Sequence, residues 1–401
     1  MSYTPNDDLL VVINGVPFGG WMGVQVTQTF DQAAGDGTLR MSPQPGVPLP
    51  VMLGDKIAVI CANQPASTGH IHRIWGEHEI SSHVIQAQFR CKTQDFVDST
   101  IGPKLNVNTP VSLAQVARKT LAAMHLDGIG VIDMSNSEPF QKGEKVSGAI
   151  DETGHGFVDN WAKMRNVVQR TDGKGNLVLD RNNGKRLAGG YIHFGLPDDP
   201  LNNALKSSFG IEDFNRHNMN AVSGQKSPND KNFWEGRPKG DPLAQAKTMA
   251  NRYGVAHDTS VRPERRKHHR GGKGQQGKTP KEAAKWKTNT LRAKSNEYVA
   301  TVPGFTTSTG NLWWPGYIAP VYDYWWNVAA DLFIKEVVFS KDWASGSKTQ
   351  IKFGMDDSFK DQSGRNKASG RSGSKLPGDP GGKYAPAEHD IDDAEVDVDK
   401  E

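Results

Sequence analysis

The sequence predicts a mainly β protein with α+β insertions, in which two antiparallel β-barrel domains flank a smaller α+β domain. Three observations predict this. Ser82–Cys91 alternates: Ile85, Ala87, Phe89 and Cys91 face one way, and Gln86, Gln88, Arg90 and the following Lys92 face the other, the period of a half-buried strand. Short apolar runs separated by turn residues recur at both ends of the chain, the pattern of a barrel or sandwich. The two ends also echo one another. LGDKIAVI, GHIHRIW and HVIQAQFRC in the first are matched by PGYIAPVY, DLFIKEVVF and TQIKFGM in the second, so Gly54 to Phe89 corresponds to Gly316 to Phe353.

Taken in order, Leu9–Asn14 reads as a strand that breaks at Asn14-Gly15, and strands follow within Val51–Cys61, Gly69–Trp75 and Ser82–Cys91. After about Asp98 helical spacing takes over. Thr109-Pro110 opens an amphipathic helix with Leu113, Val116, Ala117, Leu121 and Met124 on its apolar side, and a second helix from Thr153 to about Arg165 carries Phe157, Trp161 and Met164. Val167–Asp180 is a hairpin around Gly173–Asn176. Its TDGKGN turn does not bind calcium as an EF-hand does, because the twelfth position from Asp172 is Asn183 and not Glu. Strands return at Phe209–Phe214 and Asn218–Val222, then a helix at about Pro242–Tyr253, a basic loop, a helix from Pro280, and β structure again after Glu297. The resulting boundaries are 1–98 for the first barrel, 99–200 for the α+β domain, 201–225 with 297–357 for the second barrel, 226–296 for a helical excursion with a basic Gly-rich loop, and 358–401 for a disordered tail.

Composition narrows the function. There are 48 Lys and Arg against 45 Asp and Glu, a formal net charge of +3, so bulk charge does not mark a nucleic-acid binder. Charge is unevenly placed, however: Arg262–Lys294 is basic and Glu388–Glu401 acidic. Cys61 and Cys91 are the only cysteines, which argues against a disulfide framework and a four-cysteine zinc site. The first residues lack a basic n-region and a long apolar core, so no signal peptide is expected, and no run approaches a membrane span.

Gly272–Thr279, GKGQQGKT, satisfies the P-loop pattern, yet its flanks do not suit one. RPERRKHHR before it cannot supply a buried strand, and Thr279-Pro280 with Glu282 reads as a capping box that leaves Thr279 outside the helix. No cofactor, metal or catalytic group is expected. His70 and His72, with His78 and His83 nearby, read as surface histidines of a polar strand. Two other functions are kept in view: a nucleic-acid-binding module using 262–294, and a peptidoglycan hydrolase.

The order of several short motifs resembles the phage Mu-like baseplate hub proteins of contractile-tailed bacteriophages. These are Asn14-Gly15 with Trp21, RCKTQDFVD at Arg90–Asp98, Glu152-Thr153 with Phe157 and Arg165, Gly175-Asn176-Leu177, Val222-Ser223-Gly224-Gln225, Arg262-Pro263, Val302-Pro303-Gly304 and Leu312-Trp313. The resemblance covers about residues 8–359; the basic Gly-rich run and Trp325-Trp326 depart from it. It implies a non-enzymatic homotrimer, a pseudo-sixfold ring with two tube-like barrels per subunit, in the virion and assembled in the host cytoplasm. Its partners would be the central spike, the tail tube or its initiator and neighbouring baseplate proteins, with DNA present only in transit. On that reading Gln86, Gln88, Arg90 and Lys92 face the channel or an interface. Trp313, Trp314, Tyr317, Trp325 and Trp326 fill the second barrel's core or an interface, in preference to stacking bases.

Overall fold

The computed structural model describes residues 8–42, 49–79, 83–102, 105–142, 146–149, 151–163, 165, 167–223, 253–270 and 280–355. The expected helix at 242–253, the GKGQQGKT stretch with Thr279, Met164 and the tail lie outside them, in whole or nearly so.

The N-terminal strands are β1 (Leu9–Ile13), β2 (Val16–Phe18), β3 (Trp21–Thr29), β4 (Asp36–Met41), β5 (Lys56–Cys61), β6 (Gln64–His78) and β7 (His83–Cys91). Asn14 (φ 51°) and Gly15 (φ 85°) turn β1 into β2, the left-handed pair that a two-residue hairpin needs. An α+β unit follows: α1 (Gln94–Asp98), β8 (Asn106–Val107), α2 (Leu113–Ala123), β9 (Val131–Asp133), β10 (Val146–Ser147), α3 (Gly154–Lys163), β11 (Val168–Thr171) and β12 (Leu177–Asp180). Helix α2 begins later than Pro110 suggested, because Ser112 and Gln115 close a reciprocal capping box: the Gln115 amide donates to Ser112 Oγ and the Ser112 amide to Gln115 Oε1. Asp172 shapes the β11–β12 turn by accepting the amides of Lys174 and Asn176 (2.9 and 2.8 Å). This unit has its own core, with Phe96, Leu113, Leu121, Phe140 and Phe157 at its centre.

The chain continues through β13 (Ile192–Phe194), β14 (Lys206–Ile211), β15 (Met219–Ser223), β16 (Tyr253–His257), β17 (Arg266–Arg270), α4 (Pro280–Ser295), β18 (Asn296–Pro303), β19 (Ile318–Asp323), β20 (Val328–Asp342) and β21 (Gly346–Met355). The expectation for 226–296 missed β16 and β17, which flank β15 in a small sheet of their own. Arg266–Arg270 is extended after all. It lies at that sheet's edge with Arg266, Lys267 and His268 exposed, so its charges stay hydrated while its backbone pairs with β15.

Thirteen strands form one sheet along the path β14-β18-β21-β20-β3-β4-β7-β6-β5-β1-β2, with β19 and β13 branching beside β20. Two closed barrels were expected; among the described residues neither half closes, and this is the main correction to the fold. The two halves are joined by the last part of β20, where Glu336–Asp342 pairs antiparallel with Thr29–Gly23 of β3. One edge of each half, β3 in the first and the last part of β20 in the second, is taken up by the other half, and a single core runs from Val11 to Met355.

The strand pairing shows the internal repeat directly. In the first half β5, β6 and β7 form a meander, β7 pairs with β4, and β4 with β3; in the second β19, β20 and β21 form the meander, β21 pairs with β18, and β18 with β14. Details coincide. Gly54 (φ 86°) donates its amide to Ile71 O (2.7 Å), as Gly316 (φ 95°) donates to Ile334 O (3.0 Å). The meander strand is bulged at the same place, between Ile71 and Arg73 opposite β7 and between Ile334 and Glu336 opposite β21. The flanks differ: β1 runs antiparallel to β5, whereas β13 runs parallel to β19.

Candidate functional site

Among the described residues no side chains form a recognisable catalytic cluster, and the candidate site is a surface: the polar face of the large sheet. On β7, Ile85, Ala87, Phe89 and Cys91 are buried, which turns Gln86, Gln88 and Arg90 to the other face. Each sits in a cross-strand row. Gln86 lies between Arg40 and Trp75, Gln88 between Thr38 and Arg73, and Arg90 between Asp36 and His70. Lys92 does not join them. It follows the strand end, its amide donates to Thr68 O (3.1 Å), and its stem lies against the Gly175 turn of the α+β unit.

The rows extend into the second half, where Lys348, Gln350 and Lys352 of β21 lie on the same face. The sequence reading did not single these out, although the signal was present: Gln86 and Gln88 align with Gln350 and Lys352 when the two echoes are superposed. The face is balanced in charge. Lys352 Nζ lies 3.5 Å from Glu336 and 3.7 Å from Glu297, and Arg40 lies 3.7 Å from Asp342. Such partly hydrated pairs contribute little to stability but weaken the grip that Arg40 and Lys352 could have on phosphates.

A cavity of about 420 Å³ opens beneath the first half, lined among others by Asp31, Asp36, His72, Arg90 and His155. Burial raises the Asp36 carboxyl above its ordinary value, opposed by the nearby Arg90, and burial lowers His72 and His155. Asp36 and Arg90 are cross-strand partners, so the perturbed carboxylate belongs to a pair within the sheet, where burial outweighs the opposing pull of the guanidinium. His72 is the bulged residue, set out of the alternation that its neighbours on β6 follow. Among the described residues no group of three His, Cys, Asp or Glu is arranged to hold a metal ion, and no helix is long and apolar enough to cross a membrane.

The five aromatics separate into two sets. Trp313 is buried in the large core, and Trp314 and Tyr317 pack half-buried against it. Trp325 and Trp326 instead stand at the β19–β20 turn, 60% and 40% exposed, their amides held by Asp323 Oδ1 at 3.0 and 3.1 Å. With Phe194, Pro197 and Ser207 they line a second cavity, of about 520 Å³. Two residues of the quoted motifs have evident structural tasks. Glu152 accepts the Ala149 amide (2.9 Å) and the Asn160 side chain (2.6 Å), and Arg165 lies 3.5 Å over the Phe140 ring.

No protein-family model matches the chain, and neither does any curated protein. Solved structures do. The 43 kDa tail protein of prophage MuSo2 from Shewanella oneidensis is 22% identical, with a TM-score of 0.66 over 86% of this chain and 98% of that one. A tail protein from Neisseria meningitidis MC58 is 18% identical, with a TM-score of 0.68 over 88% and 97%. Prophage tail protein gp18 from Listeria monocytogenes is 8% identical, with a TM-score of 0.52 over 86% and 94%. At these identities the likeness is one of fold: this chain has the fold of prophage tail proteins, in agreement with the resemblance read from its motifs.

Proposed function

We propose that the chain is a non-enzymatic subunit of a contractile phage tail baseplate: three copies form a ring that adapts the sixfold tail tube to the threefold central spike. The observation that carries this reading is the internal repeat. Two units of equal strand topology in one polypeptide turn a threefold assembly into six similar positions, and matching surfaces must repeat with matching symmetry. The prophage tail fold and the motif order support the same role. On this reading the polar face of the sheet, including Gln86, Gln88 and Arg90, lines the passage, and its balanced charge lets DNA cross without being held.

The test is the mass of the full-length protein in solution, together with end-on views of the particle. Three copies around a central hole are expected. A monomer with no hole at every concentration overturns the proposal.

A further inference from the structure

Resting on that ring reading, we infer that the subunits are joined edge to edge: β14 of one copy pairs antiparallel with the outer half of β6 of the next. The chain already makes this contact once with itself. β3 pairs with Glu336–Asp342 of β20, and the repeat equates β3 with β14 and β20 with β6. Among the described residues the two counterparts are open. β14 pairs only with β18, and β6 pairs with β5 no further than His70, leaving Arg73–His78 without a partner on that side. Exposure follows the pairing. Val337 and Phe339 of β20 are buried, whereas Arg73, Gly76, Glu77 and His78 of β6 and Lys206, Ser208, Gly210 and Ile211 of β14 are exposed. Long open edges invite association and are ordinarily covered.

Carrying the observed register across the repeat sets Arg73 opposite Glu212, Ile74 opposite Ile211, Trp75 opposite Gly210, Gly76 opposite Phe209, and Glu79 opposite Lys206. The match was not built into the transfer, yet it gives opposite charges at both ends and a large residue against glycine twice. Backbone polarity agrees. In the internal seam the Phe30 amide donates to Lys335 O (2.8 Å), and the counterpart donor and acceptor are Asp213 N and His72 O. Since Glu212 directs its own amide inward to Ser295 O (2.8 Å), the alternating neighbours Ile211 and Asp213 present theirs to the open side. The contact joins two different patches, so it propagates head to tail and closes into a ring when the rotation permits.

Arg73 and Glu212 occupy the position of the seam pair Glu336 and Thr29, whose side chains meet at 3.4 Å. The full-length protein is therefore examined as Arg73→Glu, Glu212→Arg and the double exchange, by mass in solution, with circular dichroism confirming the fold. Each single change is expected to raise the concentration for half-dissociation about tenfold, and the double exchange to restore it. An Arg73→Cys/Glu212→Cys protein should form a covalent ladder under oxidation that stops at a closed trimer; the native cysteines are buried. Single variants that assemble like the parent, with no cross-linking, overturn the edge pairing while leaving the trimer intact. A ladder that runs past three supports the pairing and overturns the trimeric reading. A monomer that never cross-links overturns both.

Discussion

The two halves of the large sheet share a topology but solve one packing problem in opposite ways. In the first half the position across from Phe89 is Gly37, and the end of β5 is Cys61; in the second the same positions hold Tyr298, across from Phe353, and Asp323. Gly37 has no side chain, and the Phe89 ring occupies the space where one would stand. The buried Cys61 thiol is pushed up to about 12 by its apolar surroundings and behaves as a small hydrophobe. Tyr298 instead fills its own space, lies 5.9 Å from the Phe353 ring, and donates its hydroxyl to Asp323 Oδ2 at 2.7 Å, deep in the core. Burial first, and then Asp323, push the phenol pKa upward. The same Asp323 holds the turn that displays Trp325 and Trp326. A duplicated frame thus keeps backbone geometry while one copy remains apolar and the other uses a buried carboxylate to fix an aromatic turn.

The sharpest way to break this comparison is Phe89→Ala, expected to cost about 3–5 kcal/mol in denaturant unfolding, because Gly37 offers nothing to fill the void. Tyr298→Phe should cost about 1.5–3 kcal/mol, since it leaves a buried carboxylate short of a donor. Restoring that stability by a second change, Asp323→Ala, would refute the account, because the turn amides would lose their acceptor. Gly37→Ala should cost about 1–3 kcal/mol as a clash with the Phe89 ring. Combined with Phe89→Ala, its cost should shrink without vanishing, because the Gln25 carbonyl also lies 2.6 Å from the new methyl.

The smallest effect concerns pH. The folded Asp36 binds its proton more tightly than the unfolded chain does, so its contribution is present below the ordinary carboxylate range and is lost as pH rises through the raised value. Asp36→Asn should therefore melt slightly higher than the parent near neutrality, with the difference disappearing in acid. Melting temperatures of the parent and the variant across an acidic pH series check this.

Much of this frame was legible in residues. Period-2 runs and paired glycines placed β5, β6 and β7 against β19, β20 and β21, because the sheet's inward face must be apolar and Gly54 and Gly316 hold left-handed turns. What joins the halves was not legible. The β3–β20 seam is made by main-chain hydrogen bonds, which any residue can supply, so Gly23–Thr29 carries no mark of its partner. The same holds for β13, a short parallel strand, and for β17, whose basic side chains argue against burial and say nothing about an edge. The candidate face was half visible: β7 alternates cleanly, while Lys348, Gln350 and Lys352 required the repeat to be trusted. Trp325 and Trp326 resembled Trp313 in type, and only the position of a turn separates an exposed indole from a buried one.

The pairing of Thr29 with Glu336 spans 307 positions of the chain. During synthesis the early strands therefore emerge long before their neighbour exists, and β3 must wait with one side bare until β20 leaves the ribosome. Closing so large a loop is slow compared with forming local hairpins. A message cut short before β20 would yield a product whose amino-terminal half cannot finish its own sheet, so the cell obtains either the complete double unit or a sticky fragment fit for degradation.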